Sequence, residues 1–205
     1  MPNYCWNTLK LNKEYANLVL NEKGDVDFSI ICPMPESLDV EAGGSNETDI
    51  YVYLSARNNI ALSSVRENPL SFLINNPFSN DWIAEVCARA TNYSKGEMDE
   101  AYRRGKVLVD NYLKYGAITW YEWHNKYWGT KWNAFDCDVS KEAGDTWYCH
   151  FTTAWCPPNG WLSELAMRGV PFELEYEQED GYAGTISFDG RWKAEEHEIE
   201  WEEEE

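Results

Sequence analysis

Two histidines are the residues of this chain best suited to acid–base chemistry. His124 lies in a tryptophan-rich stretch, and His150 follows Cys149 in a segment that alternates like a strand. With Asp136 or Asp138, a histidine can form a proton-transferring dyad, because its pKa lies near neutrality. No nucleophile motif, phosphate-binding loop, zinc-protease motif or dinucleotide fingerprint accompanies these residues. The sequence therefore predicts that His124 is a hydrogen-bonded core residue and that the protein is not an enzyme, with a histidine-dependent enzyme as an alternative.

Thiol and imidazole side chains on or beside two predicted neighbouring strands raise the question of a metal site. The four candidates are Cys137, Cys149, His150 and Cys156. Successive side chains of a strand point to opposite faces, so a tetrahedral zinc site cannot take all four without a bulge. The six cysteines include no CxxC pair and follow no apolar signal segment. We therefore expect reduced thiols in a cytoplasmic protein that binds no metal and no cofactor.

The element expected to hold His124 is the stretch ITWYEWHNKYWGTKW at residues 118–132. It contains four of the eleven tryptophans. A helix over residues 118–128 places five of its side chains on one face: Trp120, Trp123, His124, Tyr127 and Trp128. Gly129 suits the left-handed position that follows a helix end. The pattern predicts an aromatic face buried in the core against a sheet, and an aromatic ligand cage is the alternative.

Hydrophobic patterns along the chain predict a mixed fold. Strands are predicted at residues 1–11, 26–32, 132–139, 146–155, 171–177 and 182–188. Helices are predicted at residues 14–20, 82–90, 97–114, 118–128 and 160–167. Residues 41–49, which contain two adjacent glycines, are predicted to form a flexible loop.

The order of these elements favours an α+β fold, with a ferredoxin-like antiparallel sheet and helices packed on one of its faces. We expect a single domain over residues 1–190 with a mostly helical insertion at about residues 40–116. Residues 191–205 form a separate acidic tail.

Charge is the strongest global feature of the chain. It has 17 basic and 36 acidic residues, for a net charge of −19, and fourteen of the acidic residues lie after residue 170. Direct nucleic-acid binding is not expected, because phosphate contacts need a basic surface. The strand face that would carry Trp147, Phe151 and Trp155 also lacks a basic residue, which disfavours RNA binding. No apolar run approaches the roughly 20 residues that span a membrane. The expected partner is a basic protein.

The acidic residues near the end of the chain form the predicted partner-binding surface. Glu173, Glu175 and Glu177 project from one face of a predicted strand at intervals of about 6.7 Å. Double-stranded DNA carries one charge per ~1.7 Å of its axis, so this strand alone is too sparse to imitate DNA. The surface therefore also takes in the next turn and the tail. The additional residues are Glu179, Asp180, Glu195, Glu196, Glu198 and Glu200.

Five segments of the chain carry a resemblance to a known family. They are MPNYCWNTLKL at residues 1–11, ICPMPESLD at 31–39, WYEWHNKYWGTKWNA at 120–134, FTTAWCPP at 151–158 and GYAGTISFDG at 181–190. In this order they resemble the YubB-type ferredoxin-like family carried by plasmids and bacteriophages. The resemblance implies a ferredoxin-like fold and a mobile-element origin, hence the cytoplasm of a bacterial host. It implies no catalytic residues.

Charge and resemblance together favour an acidic inhibitor of a host nucleic-acid-directed defence enzyme, of the anti-CRISPR or anti-restriction type. Such a protein would occupy the basic nucleic-acid site of a nuclease or CRISPR effector. The alternative is a structural or interaction module of a phage or plasmid complex. In that case tryptophan and tyrosine side chains would make the contacts, and the acidic tail would keep the protein in solution.

Overall fold

The computed structural model describes residues 3–58, 88–141 and 145–191. They belong to two compact units, one from Met1–Ile31 with Asn133–Glu205 and one from Cys32–Trp132. The second unit extends beyond the predicted insertion at residues 40–116 on both sides. No helix among the described residues is long and apolar enough to cross a membrane.

The first unit is built on an antiparallel sheet. Its described strands are β1 (Tyr4–Asn12), β2 (Phe135–Lys141), β3 (Thr146–Ala154), β4 (Phe172–Gln178) and β5 (Ala183–Phe188). Their order in the sheet is β2-β3-β1-β4-β5, so that the first strand of the chain lies at the centre. The prediction of an α+β fold with an antiparallel sheet is confirmed, and five of the six predicted strands are present.

The central strand β1 shows why one face of the sheet is the core. Cys5, Leu9 and Leu11 are buried, whereas the alternate residues Trp6 and Lys10 are exposed. Adjacent residues of a strand point to opposite faces, so this alternation fixes the register in which β1 pairs with its neighbours. Burying each large apolar side chain contributes roughly 1.5–3 kcal/mol.

The core of this unit is closed by short helices. They are α1 (Ala16–Val19) and α5 (Asn159–Met167), and the predicted helices at 14–20 and 160–167 are thereby confirmed. The Phe28 ring lies 5.9 Å from the Phe151 ring of β3 and 4.8 Å from the Trp161 ring of α5. This aromatic contact joins the sheet to the helix that covers it.

The predicted strand at residues 26–32 is wrong. Residues Phe28–Ile30 form a single 3₁₀ turn, and only Val26 forms an isolated bridge. The Phe28 amide donates to Asn133 Oδ1 at 2.9 Å, and the Ser29 amide donates to Asp27 Oδ1 at 2.9 Å. Side chains therefore satisfy the backbone donors that a strand would direct to a neighbouring strand.

The second unit is helical where it is described. It contains α2 (Ser45–Asn58), α3 (Lys95–Tyr115) and α4 (Trp120–Tyr127). The predicted helices at 97–114 and 118–128 are confirmed, and each begins with a capping box. The left-handed Gly116 and Gly129 follow their ends, as the sequence indicates. Of the predicted helix at 82–90, only residues 88–90 are described, and these are helical.

The predicted loop at residues 41–49 is wrong from Ser45 onward, because α2 begins there. This helix buries Ile50 and Leu54 against Leu108 and Val109 of α3. Tertiary packing of these apolar residues outweighs the weak helix propensity of the first turn. The predicted strand at residues 132–139 also begins later than expected, because β2 begins only at Phe135.

Candidate functional site

The exposed side of the sheet, which we call the open face, carries alternate residues of all five strands. Three rows of facing residues cross it from β2 to β5: Phe135–Thr152–Trp6–Glu177–Ala183, Asp138–His150–Thr8–Glu175–Thr185 and Ser140–Tyr148–Lys10–Glu173–Ser187. Residues that face each other across strands point to the same side of a sheet. The register therefore places Glu177 beside Trp6 of β1, and Glu175 and Glu173 beside Thr8 and Lys10 of the same strand.

Of the three glutamates of β4, only Glu173 forms a salt bridge in the described parts of the chain. Glu173 accepts a hydrogen bond from Lys10 Nζ at 3.4 Å, and this carboxylate raises the pKa of Lys10. Glu175 and Glu177 are exposed, and neither forms a salt bridge with any residue in the described parts of the chain. Two negative charges of the open face are thus available to a partner.

A cleft of about 520 Å³ lies at these two carboxylates. Trp6, Thr8, Glu175 and Glu177 line it, and β5 adds only small side chains on this face. The Trp6 side chain is 49% exposed, an unusual state for the largest amino acid in the middle of a sheet. An aromatic ring beside carboxylates suits an arginine or lysine side chain, which both groups attract.

The predicted turn residues have structural partners. Glu179 accepts a hydrogen bond from the Tyr4 amide at 3.1 Å, and its own amide donates to the Tyr4 carbonyl at 2.9 Å. Asp180 accepts from the Tyr182 amide at 3.1 Å. These two carboxylates thereby stabilise the β4–β5 connection and the start of β1. The predicted tail residues Glu195, Glu196, Glu198 and Glu200 lie outside the described residues.

His150 occupies the middle of the open face. Its Nδ1 lies 3.0 Å from Thr8 Oγ1, and Asp138 faces it from β2. The sequence suggested the pairing with Asp138 but not the hydroxyl of Thr8, because only the β1–β3 register brings that residue to His150. The row is polar and partly exposed, so its groups add hydrogen-bonding capacity to the face.

His124 has a different environment. It is on α4, and its Nδ1 donates to the Lys131 carbonyl at 2.9 Å. Its ring stacks on Trp128 with the centroids 3.8 Å apart. Burial lowers the pKa of His124, so that the neutral form is favoured. The ring is therefore a hydrogen-bonded part of the aromatic helix, and it belongs to the Cys32–Trp132 unit rather than to the sheet unit.

The candidate thiols lie in environments that oppose ionisation. Burial raises the pKa of Cys149 to about 12 and that of Cys5 to about 11, and it also raises the pKa of Cys137 and Cys156. Zinc binds the thiolate form of cysteine. In the described ranges, no three His, Cys, Asp or Glu residues lie close enough together to hold a metal ion.

The strand face that was considered for RNA is the core face. Phe151 is 2% exposed and packs on Phe28, and Cys149 on the same side is fully buried. The sequence analysis treated this face as the exposed one, because alternation along a single strand does not show which of its two faces is covered. The open face carries aromatic residues as well, but it also carries Glu173, Glu175 and Glu177, and an acidic surface repels phosphates.

A family model supports the fold of the sheet unit. Residues 127–205, less than half of the chain, match a family model described as a ferredoxin-like domain in Api92-like protein. The match, together with the five-stranded antiparallel sheet, confirms the ferredoxin-like prediction. Among solved structures, the chain is similar to the protein api92 from Yersinia pseudotuberculosis. The identity is 11% over 93% of this chain and 95% of that chain, with a TM-score of 0.43. No curated protein matches the sequence significantly.

Proposed function

We propose that this protein is a non-enzymatic binding protein that attaches to a basic protein partner through the open face of its sheet. The observation that carries the proposal is the cleft in which Glu175 and Glu177, without salt bridges in the described parts of the chain, lie beside the exposed Trp6. Tryptophan and arginine dominate the energetics of protein interfaces. A cationic side chain of the partner would satisfy both the carboxylates and the ring.

The overall charge supports the same class of partner. With a net charge of −19, the chain attracts basic surfaces over distances of about one Debye length, roughly 10 Å at 0.1 M salt. Such attraction accelerates encounter, and the contacts in the cleft then determine how long the complex lasts. Affinity should therefore have a salt-dependent part from the charges and a salt-resistant part from Trp6.

The finer form of the proposal is an inhibitor of a bacterial defence enzyme. The resemblance to the YubB-type family of plasmids and bacteriophages implies a mobile-element origin, in a bacterial cytoplasm. A nuclease or CRISPR effector needs a basic groove for nucleic acid, and that groove also attracts carboxylates. The protein would occupy the groove with the open face, and the acidic tail would add charge around it.

The test compares variants of equal charge. Glu175→Gln with Glu177→Gln removes the two charges of the cleft, and Glu22→Gln with Glu36→Gln removes two exposed charges elsewhere. Each protein is immobilised, exposed to a bacterial lysate and washed with increasing salt, and the bound proteins are identified by mass spectrometry. A nuclease retained by the native and control proteins, but not by the cleft variant, supports the proposal.

The nuclease so identified is then purified, and its DNA cleavage is measured with increasing amounts of each protein. We expect inhibition by the native protein that weakens between about 0.05 M and about 0.5 M salt, as the Debye length shortens. Equal inhibition by the cleft variant contradicts a role for the open face. Binding without any inhibition contradicts the anti-defence form of the proposal.

A second function is favoured by the aromatic side chains of the open face. Trp6 and Tyr4 are 49% and 37% exposed, which also fits a module of a phage or plasmid complex held mainly by apolar contacts. In that case the bound protein is a structural component, and it stays bound at high salt. Trp6→Ala then abolishes binding, whereas the Glu175→Gln, Glu177→Gln variant retains it.

A further inference from the structure

The outer edge of β5 differs from the other edge of the sheet. The six residues of β5 include no charged residue and no proline, and no described strand pairs with its outer side. The opposite edge strand, β2, has a register shift between Phe135 and Asp138 and carries charged side chains. Natural sheets use bulges and charges to prevent the addition of another strand. β5 has neither of these protections.

The small side chains of β5 leave the glutamates of β4 accessible from this edge. Ala183, Thr185 and Ser187 are exposed on the open face, and they face Glu177, Glu175 and Glu173 respectively. A strand added beyond β5 would lie two strand spacings, about 9.6 Å, from β4. A long cationic side chain crosses most of that distance over a small residue, and the glutamate side chain closes the remainder.

We propose that a basic, extended segment of the partner adds to β5 as a sixth strand of the sheet, with arginine or lysine at alternate positions pairing with Glu175 and Glu177. The inference rests on the proposed function and specifies how the partner binds. Backbone hydrogen bonds to β5 would supply affinity, and the alternate cationic side chains would supply specificity.

The spacing of charges in the cleft determines the sequence that fits it. Glu175 and Glu177 are two residues apart on one face, so the matching cations are also two residues apart. Glu173 already pairs with Lys10, so the expected number of matching cations is two rather than three. Trp6 forms the far wall of the cleft and packs against the aliphatic part of the cationic side chain.

The first experiment uses synthetic peptides and the full chain. A ten-residue peptide of alternating arginine and threonine is compared with a peptide of the same composition in which the arginines are contiguous. Binding is measured by fluorescence polarisation of the labelled peptides. We expect the alternating peptide to bind at least tenfold more tightly. Equal affinities contradict strand addition, because both peptides have the same charge.

Backbone methylation tests the hydrogen bonds directly. Two versions of the alternating peptide carry N-methyl groups, one on the arginines and the other on the threonines. In a strand, alternate amides point to opposite edges, so only one version loses the amides that pair with β5. We expect that version to bind at least tenfold more weakly than the other. Equal loss, or no loss, in the two versions overturns the inference.

A variant of β5 locates the site. Thr185→Lys places a positive charge at the exposed middle of β5, where it competes for Glu175, and Ser163→Lys makes the same change on the exposed surface of α5. Peptide binding should fall at least tenfold in the first variant and remain unchanged in the second. Circular dichroism verifies that both variants are folded.

Protection of β5 backbone amides from hydrogen exchange on addition of the peptide to the native protein provides an independent measurement. Absence of this protection contradicts strand addition even if Thr185→Lys does not fold. A dimer of the free protein that Thr185→Lys abolishes would mean that a second copy occupies the edge, and the inference would be wrong.

The two proposals fail in different ways. If the glutamine variant loses the protein partner but the alternating peptide shows no preference, the open face is a binding surface and only strand addition is wrong. If the glutamine variant retains the partner, the proposed function itself is wrong, whatever the peptides show.

Discussion

The two faces of the sheet differ in burial and in the kinds of residue that they carry. On the core face, Cys5, Leu9 and Leu174 are fully buried. On the open face, the neighbouring positions are Trp6, Thr8 and Glu175, of which the first is half exposed and the last is charged. Hydrophobic burial explains the first set. It does not explain an exposed tryptophan next to like charges, which weaken a strand. The contrast is what we expect if the core face provides stability and the open face has the binding role that we propose.

The largest expected effect is a loss of stability when a residue of the core face is truncated. Leu174→Ala removes a fully buried side chain of β4 and should lower the free energy of unfolding by about 2–5 kcal/mol. Urea denaturation followed by circular dichroism measures it. Partner affinity, measured on the folded fraction, should remain unchanged. A loss of affinity in this variant would mean that the two faces are not independent.

The next effect is on the open face, where truncation should reduce affinity and should lower stability less than on the core face. Trp6→Ala on the open face should lower the free energy of unfolding by only about 1–1.5 kcal/mol, less than Leu174→Ala, because about half of this residue already contacts solvent. The affinity for the alternating arginine peptide or for the protein partner should fall at least tenfold, which corresponds to about 1.4 kcal/mol. Titration calorimetry measures the affinity. Large destabilisation with unchanged affinity would make Trp6 a structural residue.

Alkaline pH should act through the core face. The pKa of Cys149 is raised to about 12 in the folded protein, from an ordinary value of 9.0, because burial disfavours the thiolate. The folded state thus holds its proton more tightly than the unfolded state, so this stability is fully present below pH 9 and falls as pH rises toward 12. Cys149→Ala should reduce the slope of stability against pH in urea titrations above pH 9. An unchanged slope would contradict the burial of the thiol.

The smallest effect concerns the charges of the open face. Lys10→Gln removes the exposed salt bridge to Glu173, and we expect no measurable change in the melting temperature. Because Glu173 is then available, affinity for the arginine peptide should rise by about twofold. Two further peptides carry arginine at only two or only three consecutive alternate positions, and Lys10→Gln should raise the affinity of the second more than that of the first. A loss of affinity would show that Lys10 contributes a contact of its own.

Local signals in the sequence were sufficient for several elements. The spacing of apolar residues and the terminal Gly116 and Gly129 predicted α3 and α4, whereas the capping residues Ser94 and Thr119 were identified only in the structure. The alternation of β1 also separated its buried from its exposed residues. Residues 26–32 were misassigned because the acceptor for the Phe28 amide, Asn133 Oδ1, belongs to a residue more than 100 positions later.

The candidate site was predicted only in part for a similar reason. Glu173, Glu175 and Glu177 share a face, as the alternation of β4 indicates, but their neighbours depend on strand order. Trp6 and Thr8 reach them because β1 pairs with β4, and Thr185 reaches them through β5. A signal for Trp6 was present, since it alternates with the buried Cys5 in a strand whose other residues on that side are mostly polar. Only the strand order showed that Trp6 lies beside the glutamates of β4.

The central position of β1 also determines the order in which the molecule can be assembled. Tyr4 pairs with Ala154 and Lys10 pairs with Glu173, so both neighbours of β1 are made more than 130 residues after it. Contacts so distant in sequence form slowly, whereas the α2–α3 packing of the middle unit involves nearer residues. We expect that unit to fold first during synthesis, because β1 cannot pair until β3 and β4 have been made. The open face is therefore complete only once the chain has been made through β5, and a partner that binds it as we propose would not bind nascent chains that lack this strand.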